Sequence, residues 1–184
     1  MILPIYAYGT KILKKKAEDI DASYAGLSDL VNNMWETMYN ARGVGLAAPQ
    51  IGQAIRLFII DTTQIHDEDD KQDEGIKRVF INAHKIETDN DFWTYEEGCL
   101  SIPEVRGDVD RPKTITLKYC TEDFIERVET FTDIEARVIL HEYDHIEGLL
   151  FTEFLKPVKK RRIKRKLEQI KKGIVDSEYP MRFV

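Results

Sequence analysis

His141 and His145 stand four residues apart in "VILHEYDHIEG", with Glu142 directly after the first. Positions i and i+4 of a helix share a face, so the two imidazoles can grip one ion. The surrounding residues supply that helix. "TDIE" offers Thr132 and Glu135 as a capping box, and Gly148 marks a stop. Ile134 and Val138 fall on the histidine face. H-E-x-x-H in a helical setting is uncommon by chance, so a metal site is the better reading than two core histidines. A catalytic ion takes three protein ligands and keeps a position for water. The residues alone leave the third ligand open. Where one protease class places a further His, this chain has Phe151. Glu153 lies very close to the pair, and Glu168 sits inside a basic segment. Upstream, Cys99 in "EEGCLSIP" could ligate as a thiolate, although a lone Cys is more often a small buried apolar residue, which is how Cys120 reads.

The rest of the chain gives that helix a setting. Leu27, Leu30, Val31, Met34 and Met38 recur at helical spacing. "IRLFIID" (55–61) and "RVFINAHKIE" (78–87) read as strands, and "HDEDDKQDEG" (66–75) between them as an acidic surface loop. "TITLKYCTEDFIERVETF" (114–131) alternates in two halves around "TED", a hairpin pattern. A last helix begins after Pro157. We expect one domain, 1–184, of the α+β class: antiparallel strands packed around a central metal-binding helix, with an N-terminal and a C-terminal helix. No apolar run approaches the ~20 residues of a membrane span. The start lacks a secretory pattern and two cysteines make no disulfide framework, so a cytoplasmic setting is expected.

"GVGLAAPQ" (43–50) imitates a dinucleotide fingerprint, and Asp61 follows about where a ribose-binding acid belongs. The context is wrong, because a helical pattern precedes it and Pro49 obstructs a helix after it. A plain tight turn is one alternative. The functional one is that Gly43 and Gly45 let backbone approach an extended peptide, with Gln50 aimed at the metal.

"GVGLAAPQ", "EGCLS" (97–101) and "HEYDHIEG" (141–148), in this order and at these separations, together resemble the three signature motifs of the peptide deformylases. The resemblance runs from about Leu3 to the final helix. It implies a hydrolase that removes the N-formyl group from nascent formyl-methionyl polypeptides. It makes Cys99 the third ligand beside His141 and His145, and Gln50 the amide donor to the substrate carbonyl. Fe²⁺ is the ion it implies, although Zn²⁺, Ni²⁺ or Co²⁺ suits the same donors. Glu142 is then the general base, and the Leu100 backbone N–H joins Gln50 at the developing oxyanion. Val44, Ile134 and Val138 are candidate walls for the methionine side chain, with ordinary core as the alternative for each. Arg106, from the match to "SIPE-x-R", is a candidate substrate contact. Two departures stand out. Leu140 replaces the Gln that usually precedes the first His, and the acidic insert 66–75 is longer than in short members.

Charge is unevenly spread. Residues 156–172 hold ten Lys or Arg against Glu168 alone, a local +9 that leaves −15 on the remainder of a chain whose total is −6. A solvated helical face is the bland reading. The family associates this helix with ribosome docking, which a single electropositive patch on an acidic body would suit. Two rival functions each fit part of the sequence. A metalloprotease would share the H-E-x-x-H helix but lacks its downstream ligand. An RNA-binding module would rest on the basic segment and leave the metal cluster unexplained.

Overall fold

The computed structural model describes residues 1–65 and 75–184. All but the last residue of the acidic stretch read as a surface loop therefore lies outside the described residues.

In chain order the elements are β1 (Ile5–Tyr6), α1 (Leu27–Asn40), β2 (Gly45–Ala47), β3 (Leu57–Asp61), β4 (Lys77–Thr88), β5 (Phe92–Cys99), β6 (Ile102–Pro112), β7 (Thr114–Cys120), β8 (Glu126–Thr132), α2 (Asp133–Ile146), α3 (Pro157–Lys171) and β9 (Met181–Arg182). Strands β2-β3-β4-β7-β8 form an antiparallel sheet, β5 and β6 a separate antiparallel hairpin, and β1 pairs with β9 in parallel. Among the described residues the fold is α+β, with three α-helices and mostly antiparallel strands.

The expected 114–131 hairpin is β7–β8, in register from Thr114 opposite Thr132 to Cys120 opposite Glu126. Both sequence-read strands, β3 and β4, pair side by side. Cys120 closes β7 and packs half-buried against the α1 cluster. "GVGLAAPQ" runs from the end of α1 into β2 and then a 3-10 turn, Ala48–Ile51. No helix-opening phosphate loop forms, as Pro49 led us to expect.

α2 starts one residue after Thr132, but the capping box does not form. The Thr132 side chain makes no cap bond, and Glu135 instead accepts from the Thr62 hydroxyl at 3.2 Å. The Asp133 N–H donates to the Lys113 carbonyl at 2.8 Å, and Asp133 takes φ 50° as strand turns into helix. Tertiary contact thus replaces the local cap. A 14-residue helix is marginal alone. Burial of Ile139, Leu140 and Ile146, at about 1.5–3 kcal/mol each, holds it against Phe58, Phe80, Leu117 and Tyr119 of the sheet. Leu140, which stands where Gln is usual, is part of this apolar cluster. α3 docks on β6 through Ile163 and Ile170, which are buried, whereas Val158 is exposed. Val158 precedes Ile163 by five residues, about 500° of helical rotation, which turns it roughly 140° away from the contact face.

Candidate metal centre

Three chain segments converge. β5 ends at Cys99, and the chain turns through Leu100 and Ser101 into β6. α2 presents His141, Glu142 and His145, and the 3-10 turn after β2 presents Gln50. One donor atom from each of Cys99, His141 and His145 lies within 4.8 Å of the other two. Cys99 Sγ stands 3.3 Å from His145 Nε2. Donors bound about 2.0–2.3 Å from one tetrahedral ion stand roughly 3.3–3.8 Å apart, so the arrangement fits a first-row metal with little adjustment. His145 is buried, and its Nδ1 has no hydrogen-bond partner among the described residues.

His141 is oriented from behind. Its Nδ1 lies 2.9 Å from Glu97 Oε2. A carboxylate only accepts, so Nδ1 carries a proton, and Nε2 is the atom that would turn a lone pair to an ion. Glu97 also receives Arg111 Nε at 2.6 Å, Arg111 Nη2 at 2.9 Å and Arg137 Nη1 at 2.9 Å. Burial opposes ionisation of Glu97, but His141 and Arg111 outweigh it and hold its pKa far below the usual carboxylate range. Arg111 reaches on to Asp144 at 2.6 Å, tying the hairpin to α2. Burial alone would depress His141, yet Cys99 and Glu97 hold its pKa well above the ordinary value. The cluster therefore draws positive charge to the point where the three donors meet, as a cation site should.

Glu142 is 4% exposed and its Oε2 has no partner among the described residues. Burial pushes its pKa up to about 7, the range that suits a group both taking and giving a proton. Gln50 Oε1 accepts from the Ala47 N–H at 2.8 Å, which fixes its amide end. Nε2 then faces Ser101 Oγ at 3.2 Å and Cys99 Sγ at 3.5 Å. These groups open onto a cleft of about 770 Å³.

That cleft brings together Gly43, Val44, Gly45, Gln50, Cys99, Leu100, Arg106, Ile134, Val138, His141 and Glu142. His145 lies beneath its floor, joined through Cys99. Arg106 is exposed and paired with Glu96 at 2.9 Å. A Cβ on Gly45 would stand 2.8 Å from both Cγ and Cδ of Glu142, so the close approach of that side chain is one reason for glycine there. Sequence reasoning missed Glu97, Arg111, Arg137 and Tyr179. Glu97 had a signal, since it stands two residues before Cys99 and so on the same strand face. Arg137 sits on α2 itself, one turn before His141, whereas Arg111 reaches the site from β6 and Tyr179 from the segment after α3.

Residues 2–161 match the family model for polypeptide deformylase. The chain belongs to the polypeptide deformylase family. The peptide deformylase of Christiangramia forsetii is 54% identical over 100% of this chain and 96% of its own length. That of Flavobacterium johnsoniae is 50% identical, with the same coverage of each. Among solved structures, a Legionella pneumophila peptide deformylase is 34% identical with a TM-score of 0.80, covering 94% of this chain and 97% of that one. A Plasmodium falciparum peptide deformylase is 28% identical with a TM-score of 0.82, covering 92% and 95%. As a deformylase, the chain is a metal-dependent hydrolase that takes N-formyl groups from nascent polypeptides, the activity its residues led us to expect.

Proposed function

We propose that Cys99, His141 and His145 hold Fe²⁺, and that the chain, folded as one domain over 1–184 around α2, deformylates nascent formyl-methionyl polypeptides in the cytoplasm. The observation that carries this reading is the meeting of three donors with a buried Glu142, whose Oε2 has no partner among the described residues, in one cleft. Zn²⁺, Ni²⁺ or Co²⁺ suits the same donors. Bound there, the ion supplies Lewis acidity toward a water and the formyl carbonyl.

The chain's residues do the rest. Glu142 takes the proton of the attacking water and passes it to the departing amine. Gln50 Nε2 and the Leu100 N–H donate to the carbonyl oxygen as charge develops on it. Val44, Ile134 and Val138 receive the methionine side chain, Gly43 and Gly45 admit the peptide backbone, and Arg106 contacts the substrate at the mouth. A formyl carbon carries only hydrogen beyond its carbonyl, so a tight site admits it and rejects larger acyl groups. The exposed basic face of α3 docks on ribosomal RNA near the emerging chain. Among the described residues no helix is long and apolar enough to cross a membrane.

Metal analysis of anaerobically purified protein, coupled to turnover of a formyl-Met tripeptide, tests the reading. Activity that tracks one equivalent of iron supports it, and full activity after complete chelation would sink it.

A further inference from the structure

The chain beyond α3 returns to the site. After Gly173 it passes Asp176, Ser177, Glu178 and Tyr179 along one wall of the cleft, then enters β9. This stretch lies beyond the residues that match the family model. It is firmly held. The Ile5 N–H donates to the Pro180 carbonyl at 2.9 Å, and the Ala7 N–H to the Arg182 carbonyl at 2.8 Å. Arg182 Nη1 donates to the Tyr6 hydroxyl at 3.0 Å, and Ser177 Oγ to the Tyr179 carbonyl at 2.9 Å. Such anchoring on both sides of Tyr179 leaves its side chain one direction to face.

That direction is Leu100. The Tyr179 hydroxyl donates to the Leu100 carbonyl oxygen at 2.8 Å. Leu100 needs such a partner. The β5–β6 ladder shifts register between Gly98 and Cys99 and resumes with Cys99 opposite Ile102, so Leu100 lies in the turn, outside the ladder. Its neighbour Ser101 is tied by the Tyr8 N–H at 2.8 Å. The Leu100 carbonyl is instead fixed by a side chain 79 residues away. That carbonyl and the Leu100 N–H lie in the two peptide planes that flank one α-carbon, so loss of the bond loosens the Leu100 backbone and with it the aim of the N–H.

We propose that Tyr179 is a positioning residue of this deformylase, steadying the backbone of Leu100 on its carbonyl side so that the Leu100 N–H faces the formyl carbonyl. The proposal rests on the reading of Leu100 as an oxyanion donor. Tyr179 itself touches no reacting atom. The C-terminal tail is thereby part of the active-site wall rather than an appendage.

Tyr179→Phe in the full-length metal-loaded enzyme is the test, because it removes only the hydroxyl. Misplacement by a fraction of an ångström should lower kcat on the order of tenfold, with KM within about twofold. Metal stoichiometry should not change, and Tm should fall by no more than ~4 °C. In the zinc-loaded protein, the amide resonances of Leu100 and Ser101 should shift. Ser177→Ala, which loosens the tail without touching the ring, should lower kcat in the same direction by less. Unchanged kcat with unmoved resonances overturns the placing of Leu100 by Tyr179. Unchanged kcat with shifted resonances overturns the proposal through its premise, since Leu100 would move without consequence. Metal lost in step with activity also overturns it, because Tyr179 would then act through Cys99.

Discussion

Gly45→Ala puts one methyl group against the carboxylate of Glu142, the proposed base. The three atoms nearest the added Cβ all belong to Glu142: Oε1 in closest contact, and Cγ and Cδ at 2.8 Å. Carbon atoms rest about 3.5–4.0 Å apart, so the Glu142 side chain must withdraw by roughly 0.7 Å or more. It has little room, being 4% exposed on a helix packed against the sheet. Overpacking of this kind costs about 1–3 kcal/mol of stability, and an ångström's misplacement of a catalytic group costs ~10²-fold in rate. We therefore expect kcat on a formyl-Met tripeptide to fall ~10²-fold, with KM and metal content retained.

A double-mutant cycle isolates the cause. With Glu142→Ala already present, the three crowding atoms are gone and Gly45→Ala should cost almost nothing further. Steady-state kinetics and thermal unfolding of the four proteins measure it. Additive losses would refute the steric coupling. A raised KM with kcat preserved would instead show that glycine is needed there for the substrate backbone.

Cys99→Ser should bind metal weakly and lose orders of magnitude in activity, since a neutral hydroxyl is a poor ligand beside two imidazoles; stoichiometric metal by elemental analysis would place the third ligand elsewhere. Glu142→Ala should keep its metal and lose ~10²–10⁴-fold in kcat. In the parent enzyme the base must be ionised to accept a proton, so kcat/KM should fall as pH drops through the Glu142 pKa. Burial pushes that value up to about 7 and a cation alongside pulls it back, which sets the acid limb between 4.5 and about 7; a profile flat to below 4.5 would remove Glu142 from the role. Reversing Lys160, Arg161, Lys164 and Arg165 to Glu, all exposed on α3, should abolish salt-sensitive cosedimentation with ribosomes while leaving tripeptide turnover near normal; unchanged cosedimentation would return the basic face to plain solvation.

Long, strongly patterned elements were legible in the sequence. α1 and the β7–β8 hairpin carry a clear period, and β3 and β4 are apolar runs of strand length. β5 and β6 were not read, and the reason is instructive. β6 alternates with Val105, Gly107, Val109 and Arg111 turned inward, so a charged residue occupies a core-facing slot and breaks the apolar pattern. β1 and β9, at two residues each, are too short for any period. The histidine pair was legible because its spacing is local to one helix. Cys99 was not fixed by spacing at all, since a thiol 42 residues away has no local mark of ligation, and it entered through the resemblance of three motifs.

What hid Arg111 and Arg137 also explains their use. A buried ion cluster is weak support for stability, because well-packed apolar residues of similar volume would do as well or better. Glu97, Arg111, Arg137 and Asp144 are nonetheless buried together between the hairpin and α2. Their positions assign them another task. Glu97 lies on the strand that ends in Cys99, and it accepts from the ring of His141 on the helix. Any sliding of hairpin against helix would break charge-assisted bonds in a water-poor setting, where each is strongest. The ligand-bearing ends of β5 and α2 are thus locked in register by groups that touch no substrate. Arg137 extends the lock by donating to the Trp93 and Val109 carbonyls, one on each strand of the hairpin. Cys99 and the two histidines meet because this charged seam, rather than the apolar core, sets how the two elements abut.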